Sequence, residues 1–384
     1  MESNLVQNLV NLKSLPETWA VKDFKEVVSD NSGGNKKLAK SNFLNEGEIA
    51  VVDQGKKLIA GYYNNTSLAV KTQPPYVVFG DHTRAFKYVD FPFIMGADGT
   101  KVLQPKKENC DTKYLYYFFL SINVPNTGYN RHFKYLKKLK IPLPPLDQQK
   151  KIAAILDAVD AYRQKTKALI EKYDELTQSL FLELFGDPVR NPKGWDKIKL
   201  GELHKISSGG TPSRKINDYY ENGTIPWVKT GDLKGLYVLK PSESITEEAL
   251  KNSSAKLFPS DTLLIAMYGA TIGACSILNF NAATNQACAA LLPSDKVNTL
   301  FEFFFFREFK KELIKMGVGG AQPNISAGLL KNLKIYYPPI DLQNQFADSV
   351  QAIEAQKAQA QASLAQAEDL FNSLLQRAFK GELV

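Results

Sequence analysis

The residues with the widest chemical reach are three histidines, His82, His132 and His204, and three cysteines, Cys110, Cys275 and Cys288. Their spacing does not assemble them. The histidines lie far apart with no His-x-x-x-His pair, which argues against a metal site. No two cysteines have a Cys-x-x-Cys spacing and their number is odd. That argues against a disulfide framework or zinc site and suits a reducing cytosol, with the thiols as small buried hydrophobes. Catalytic motifs fail as well. No Gly-x-x-x-x-Gly-Lys-Ser/Thr loop is present, and Met316-Gly317-Val318-Gly319-Gly320-Ala321 lacks the third glycine of a dinucleotide cradle, so it reads as a loop. The Asn/Asp-Pro-Pro-aromatic motif of methyltransferases is absent, since Asn191-Pro192-Lys193-Gly194 has neither the second proline nor the aromatic. Lys229-Thr230-Gly231 lacks the companions of a β-lactamase signature. Glu308-Phe309-Lys310 has nuclease-like spacing but no Pro-Asp partner. The expectation is a non-catalytic protein with no metal and no cofactor of its own.

The elements that would position any site come from an internal repeat. Lys140-Ile141, Pro144-Pro145, Asp147 and Gln149 recur as Lys334-Ile335, Pro338-Pro339, Asp341 and Gln343 at a constant offset of 194 residues, and Phe185 still matches Phe379. A gapless match of that length marks a repeat. After the prolines, Asp147 is placed as an N-cap. Ile152, Ile155, Val159, Tyr162, Thr166, Leu169, Tyr173, Leu176 and Leu180 then follow in steps of three and four, the spacing of a coiled-coil seam. Gly186-Asp187-Pro188 stops the helix. Its length is about 39 residues, or roughly 60 Å at ~1.5 Å per residue. The second copy, capped by Asp341, has Phe346, Val350, Ile353, Lys357, Ala360, Leu364, Ala367, Phe371, Leu374 and Ala378 on its seam. Two such helices predict an antiparallel pair.

Between the helices lie two domains rich in short strands and turns. Residues 1–140 form the first, opening with a short amphipathic helix over residues 1–14, and 189–337 the second; 141–188 and 338–384 are the helical segments. Both domains enter through Pro-x-x-Trp, at Trp19 and Trp195. Glu48–Val52, Tyr76–Phe79 and Leu263–Tyr268 read as strands, Lys113–Ile122 and Phe301–Met316 as helices. The fold class is therefore α+β: two β-rich domains separated by two long antiparallel helices forming a coiled coil, in a pseudo-two-fold arrangement. The 384 residues carry a net charge of +8, compatible with nucleic acid without requiring it. No run approaches the ~20 apolar residues of a membrane span, and the first residues lack a basic n-region, so a cytoplasmic location is expected.

The pattern of variable domain, repeated helix, variable domain, repeated helix resembles the DNA specificity (S) subunit of type I restriction-modification systems. Ile141–Gln149 and Tyr337–Gln343 resemble the family's entries to its two helices. Gly320-Ala321-Gln322-Pro323-Asn324-Ile325-Ser326 is similar to the segment that closes a target recognition domain. Gly209–Ser213, Ile225–Leu233 and Tyr268–Gly273 resemble recurring motifs of such domains. Val52–Gly55, Ile59–Tyr62 and Phe79–Arg84 resemble another subtype, although Thr127-Gly128-Tyr129-Asn130-Arg131 departs from the closing pattern. The resemblance implies a subunit in which each recognition domain reads half of a bipartite, asymmetric site in double-stranded DNA. The helices would set the unread gap and dock two methyltransferase subunits, which would carry S-adenosylmethionine and methylate adenine N6. A restriction/translocase subunit could join them.

On this resemblance the DNA-contacting candidates are polar and basic loop residues. In the first domain they are Lys56, Lys57, Tyr62, Asn64, Lys71, His82, Arg84, Tyr129, Asn130 and Arg131. In the second they are Thr211, Ser213, Arg214, Lys215, Lys229, Thr230, Asp232, Tyr268 and Gln322. Arg and Lys can bond guanine or phosphate, Asn and Gln adenine, and Asp cytosine. For each of them a solvated surface position is the competing reading. In Asp81-His82-Thr83-Arg84, a base or phosphate contact stands against a turn stabilised by Asp81. For the whole chain, the alternative is a coiled-coil adaptor whose β domains bind proteins or glycans; steeply salt-dependent DNA binding would count against it.

Overall fold

The Lys-Ile pairs that open the two repeats are strands, and each returns to the start of its own domain. In the computed structural model, which describes residues 15–106, 108–128, 130–317 and 324–384, Lys140–Leu143 pairs antiparallel with Ala20–Asp23. In the same way Lys334–Tyr336 pairs with Lys197–Lys199. The helix expected over residues 1–14 lies outside the described residues. Each long helix follows its strand directly: Leu146–Phe185 and Ile340–Phe379, 40 residues each.

Asp147 and Asp341 fall inside the first turn and are not caps. The prolines take that role through the backbone. The Pro145 carbonyl accepts from Gln149 N at 3.1 Å and Pro339 from Gln343 N at 3.2 Å. Proline has no N–H to leave unpaired at a helix start. The aspartates remain favourable there, because a carboxylate complements the positive end of the helix dipole.

The chain divides into two compact units, residues 1–167 with 361–384, and residues 168–360. In the first, Arg163 lies over the Phe371 ring at 4.3 Å and Lys167 meets Glu368 at 3.1 Å. In the second, Asp174 pairs with Lys357, and the Phe181 and Phe346 rings are 5.6 Å apart. In each unit the partner's number falls as the first helix's number rises, so the paired segments run antiparallel. The predicted seam of the second helix is buried or half-buried throughout.

The first helix departs from prediction at every other position. Ile152, Val159, Thr166, Tyr173 and Leu180 are buried or half-buried, but Ile155, Tyr162, Leu169 and Leu176 are 36, 52, 42 and 51% exposed. Their C-terminal neighbours Leu156, Arg163, Ile170 and Thr177 turn inward instead. Most of the polar groups there have partners among the described residues, the Arg163 Nε being an exception. Thr166 and Thr177 donate to the carbonyls of Tyr162 and Tyr173 at 2.8 and 2.9 Å, and Arg163 bonds Asp160 at 2.8 Å while stacking on Phe371.

The first unit holds two four-stranded sheets. One runs Val28–Asp30, Thr100–Pro105, Tyr76–Gly80, Phe86–Val89, all antiparallel. The other runs Lys37–Leu38, Phe93–Gly96, Ile49–Val52, Gly61–Tyr63, with Phe93–Gly96 parallel to both neighbours. The second unit holds a five-stranded sheet around Leu263–Ala266 and a four-stranded sheet in which Ile225–Val228 runs parallel to Ala282–Thr284. A helix covers each core: Thr112–Ser121, capped by Asp111, and Thr299–Met316, capped by Asn298.

The repeated glutamines fasten those caps. The Gln149 side-chain carbonyl accepts from Asp111 N at 2.9 Å and its amide donates to Pro144 O at 2.8 Å. The Gln343 carbonyl accepts from Asn298 N at 3.0 Å and its amide donates to Pro338 O at 2.8 Å. Both side chains are fully buried. The helix stops repeat as well. Gly186 and Gly381 both have positive φ, and a Cβ on either would lie 2.6 Å from Pro192 or 2.3 Å from Pro16, the prolines of the two Pro-x-x-Trp entries. No described helix is long and apolar enough to cross a membrane.

Candidate nucleic-acid interface

In the second unit the parallel pairing of Ile225–Val228 with Ala282–Thr284 brings distant loops to one edge. Gly210 N donates to Thr284 O at 2.9 Å, Asn285 N to Val228 O at 3.1 Å, and Met267 N to Ala287 O at 2.9 Å. Ile325 N reaches Met267 O at 2.9 Å, and Tyr268 bridges to Asn324. Three motifs far apart in sequence, 209–213, 227–232 and 267–273, thus meet at one face together with 284–287. Gly209 is required by the close approach, because a Cβ there would sit 1.9 Å from the Thr284 carbonyl oxygen. Thr211 bonds the exposed Gln286. Thr211, Ser213, Arg214, Lys215 and Tyr268 are exposed, and Lys229, Thr230 and Asp232 half-exposed. Gln322 lies outside the described residues.

Arg214 is the most constrained of these. Its guanidinium lies 4.2 Å from the Tyr220 ring centre and 5.0 Å from that of Trp227, and its Nη2 is 2.6 Å from Glu243 Oε2. Lys229 bonds the other Glu243 oxygen. These contacts hold the Glu243 carboxyl below its ordinary range, the Lys229 hydrogen bond foremost. The Lys229 backbone N–H donates to Asp232 at 2.9 Å. The Trp227 indole donates to Gly210 O at 3.1 Å, and the Tyr220 hydroxyl to Pro212 O at 2.6 Å, which ties the aromatic platform to the glycine loop.

In the first unit a second loop cluster forms where Ile49–Val52 and Phe93–Gly96 end together. Asp81 N donates to Gly99 O at 2.7 Å, His82 N to the Gln54 side chain at 3.3 Å, and Thr83 Oγ1 to Gln54 O. The buried Lys87 ammonium, its pKa lowered by desolvation against the attraction of Asp53, donates to Asp53 O at 2.8 Å and braces the 53–55 turn from inside. Asp81 is buried, but its carboxylate accepts from Phe133 N at 2.7 Å, so it holds the start of the distant Phe133–Leu136 helix rather than its own turn. His132 is buried, its Nδ1 2.8 Å from Asp81 O. Lys56, Lys57, His82, Asn130 and Arg131 belong to this end. Arg84, at φ 62°, donates to Val124 O at 3.3 Å.

Three candidates are placed elsewhere. Asn64 accepts from Glu48 N at 3.2 Å and Lys71 N donates to Asn35 at 3.1 Å, both where the same two strands begin. Tyr62 pairs with Ala50 in mid-strand. Tyr129 lies outside the described residues. Sequence reasoning missed Gln286, Glu243 and Tyr220 as parts of the face, and it placed Trp227 in the 225–233 motif without naming it as a contact or platform residue. No local motif marks the first three; the strand pairing and the Arg214 contacts bring them to the loops that were singled out. The three cysteine thiols are buried, which pushes each up to about 12 and leaves them protonated and unreactive.

Comparison with known proteins adds an independent line. A family model described as "Type I restriction modification DNA specificity domain" matches residues 16–173 and 192–368. The EcoR124I/EcoR124II specificity subunit of Escherichia coli is 28% identical over 322 residues, 78% of each chain. The MjaIX specificity subunit of Methanocaldococcus jannaschii is 32% identical over 161 residues, 41% of this chain and 37% of that one. Among solved structures, the type I restriction-modification S subunit from M. genitalium aligns with a TM-score of 0.61 at 17% identity, covering 94% of this chain and 96% of that one. A chain from a structural study of type I R-M complex assembly aligns at 0.56 with 21% identity, covering 96% and 99%.

Proposed function

Because the chain belongs to the type I restriction-modification DNA specificity family, we propose that it reads a bipartite, asymmetric DNA sequence, one half with each β-rich unit. As a specificity subunit it is the non-catalytic member of a restriction-modification complex, which implies DNA and further subunits as partners. One observation carries the finer reading. The two units share a frame, namely the entry strand, the glutamine clamp and the glycine stop, yet present unlike loop faces. A common frame with different reading loops is what an asymmetric site requires, because each half-site must meet its own set of base-edge contacts.

The long helices are the docking sites of two methyltransferase subunits in this reading; those subunits, not this chain, carry S-adenosylmethionine and methylate adenine N6, and a restriction/translocase subunit can join the same assembly. The exposed apolar residues support it: Ile155 and Tyr162 in the first unit, Leu169 and Leu176 in the second, spaced every seven residues and left open by the described residues. Base-resolution mapping of N6-methyladenine in cells expressing the chain with its neighbouring methyltransferase tests the proposal. The expected result is a two-part motif with a fixed gap that disappears when this chain is omitted. Methylation indifferent to the chain would refute it.

A further inference from the structure

The Arg214 cluster is built unlike a phosphate site. Two cations, Arg214 and Lys229, share the Glu243 carboxylate, and a second carboxylate, Asp232, accepts from the Lys229 backbone N–H, so these four side chains together bring no net positive charge to a polyanion. Phosphate contacts gain from uncompensated charge, and Glu243 removes it. What Glu243 supplies instead is orientation. It lies directly opposite Trp227 in the strand pairing, so its carboxylate and the indole are fixed by the same ladder. The guanidinium is stacked on two rings and pinned at Nη2, yet its side chain stays 52% exposed. A planar fork with one edge anchored and the rest open is arranged for bidentate donation to an acceptor pair, and guanine O6 and N7 offer that pair in the major groove.

We propose that Glu243 is a positioning residue that orients Arg214 to read one guanine in the half-site of the second unit, with Tyr220 and Trp227 as the platform. The inference rests on the DNA-reading function proposed above. It differs from a charge role in sign. Removing a carboxylate from a DNA-facing surface strengthens binding to every sequence, whereas removing an orienting group weakens discrimination at a single base pair.

The test uses the complex of the full chain with its methyltransferase, binding duplexes randomised one position at a time across both half-sites at several salt concentrations. Arg214→Ala identifies the position, relaxing it by about tenfold or more, the order of one bidentate base contact. The isosteric Glu243→Gln is expected to relax the same position by a similar factor, to raise affinity for unrelated DNA, and to leave the first unit's half-site unchanged, which also reports intact folding and assembly. A uniform gain in affinity with every preference intact overturns the positioning role while leaving this face on DNA. No change in specific or non-specific binding overturns both the role and the placement of this face on DNA.

Discussion

At the scale of single residues, the second unit contains one histidine caught between two acceptors. His204 Nδ1 lies 2.6 Å from Leu292 O and Nε2 2.8 Å from the Glu302 carboxylate, with both side chains buried. Each ring nitrogen must carry a proton to satisfy its partner, unless Glu302 holds one in its place. Desolvation pushes the His204 pKa down, but the hydrogen bond and charge of Glu302, with the Leu292 carbonyl, push it further up. Burial raises Glu302 as well. Both shifts make the folded state hold its protons more tightly than the unfolded chain, so they act with one sign. The His204 contribution is fully present below the unfolded value of ~6.5 and is lost as pH rises through the raised folded value. Thermal melts between pH 6 and 9 are expected to show the second unit losing stability with rising pH, at a slope of up to about 1.4 kcal/mol per unit. The double variant His204→Gln, Glu302→Gln should flatten that slope. An unchanged slope in the double variant would show that the proton is held elsewhere. Nothing in the sequence paired these two residues, which are brought together only by the covering helix.

At the scale of elements, the repeat was legible because it rests on short-range chemistry. Lys-Ile strands, paired prolines, a glutamine four residues beyond the second proline and a terminal glycine each do the same local work twice. The seam of the first helix was legible only in part. A heptad pattern can be read at either of two neighbouring phases, and at 155/156 and 169/170 both neighbours are apolar, so composition gave no reason to prefer the inner one. The outward phase leaves Leu169 and Leu176 exposed in the second unit. Replacing both with Glu is expected to change stability little, within the ~0.5 kcal/mol typical of surface substitutions, while reducing co-purification of the methyltransferase. Replacing the buried Thr177 with Glu should instead destabilise the chain, because it puts an unpaired charge inside the seam. Comparing the two melts checks the phase, and a large loss of stability from the Leu169/Leu176 pair would restore the seam first read from the sequence. The reading faces were harder still. The loops at 209–213, 227–232 and 268–273 could be named from their motifs, but Gln286 and Glu243 reach the face only through sheet pairing across tens of residues.

At the scale of the whole molecule, the proposed function makes the long helices a ruler, and a ruler has a consequence that base reading lacks. Removing one heptad from each helix, residues 164–170 and 361–367, keeps the phase of both hydrophobic stripes because seven residues return a seam to the same face. It also spares the glutamine clamps, the glycine stops and every residue of the loop faces. Seven residues at ~1.5 Å each remove about 10 Å, close to the rise of three base pairs when a turn of ten spans ~34 Å. The shortened chain, expressed with its methyltransferase, is therefore expected to methylate a motif with the same two half-sites and a gap about three base pairs smaller. Mapping N6-methyladenine genome-wide reads both quantities at once. Half-site letters that change with helix length would show that the helices take part in reading bases. An unchanged gap would mean that something other than these helices sets the distance between the two readers.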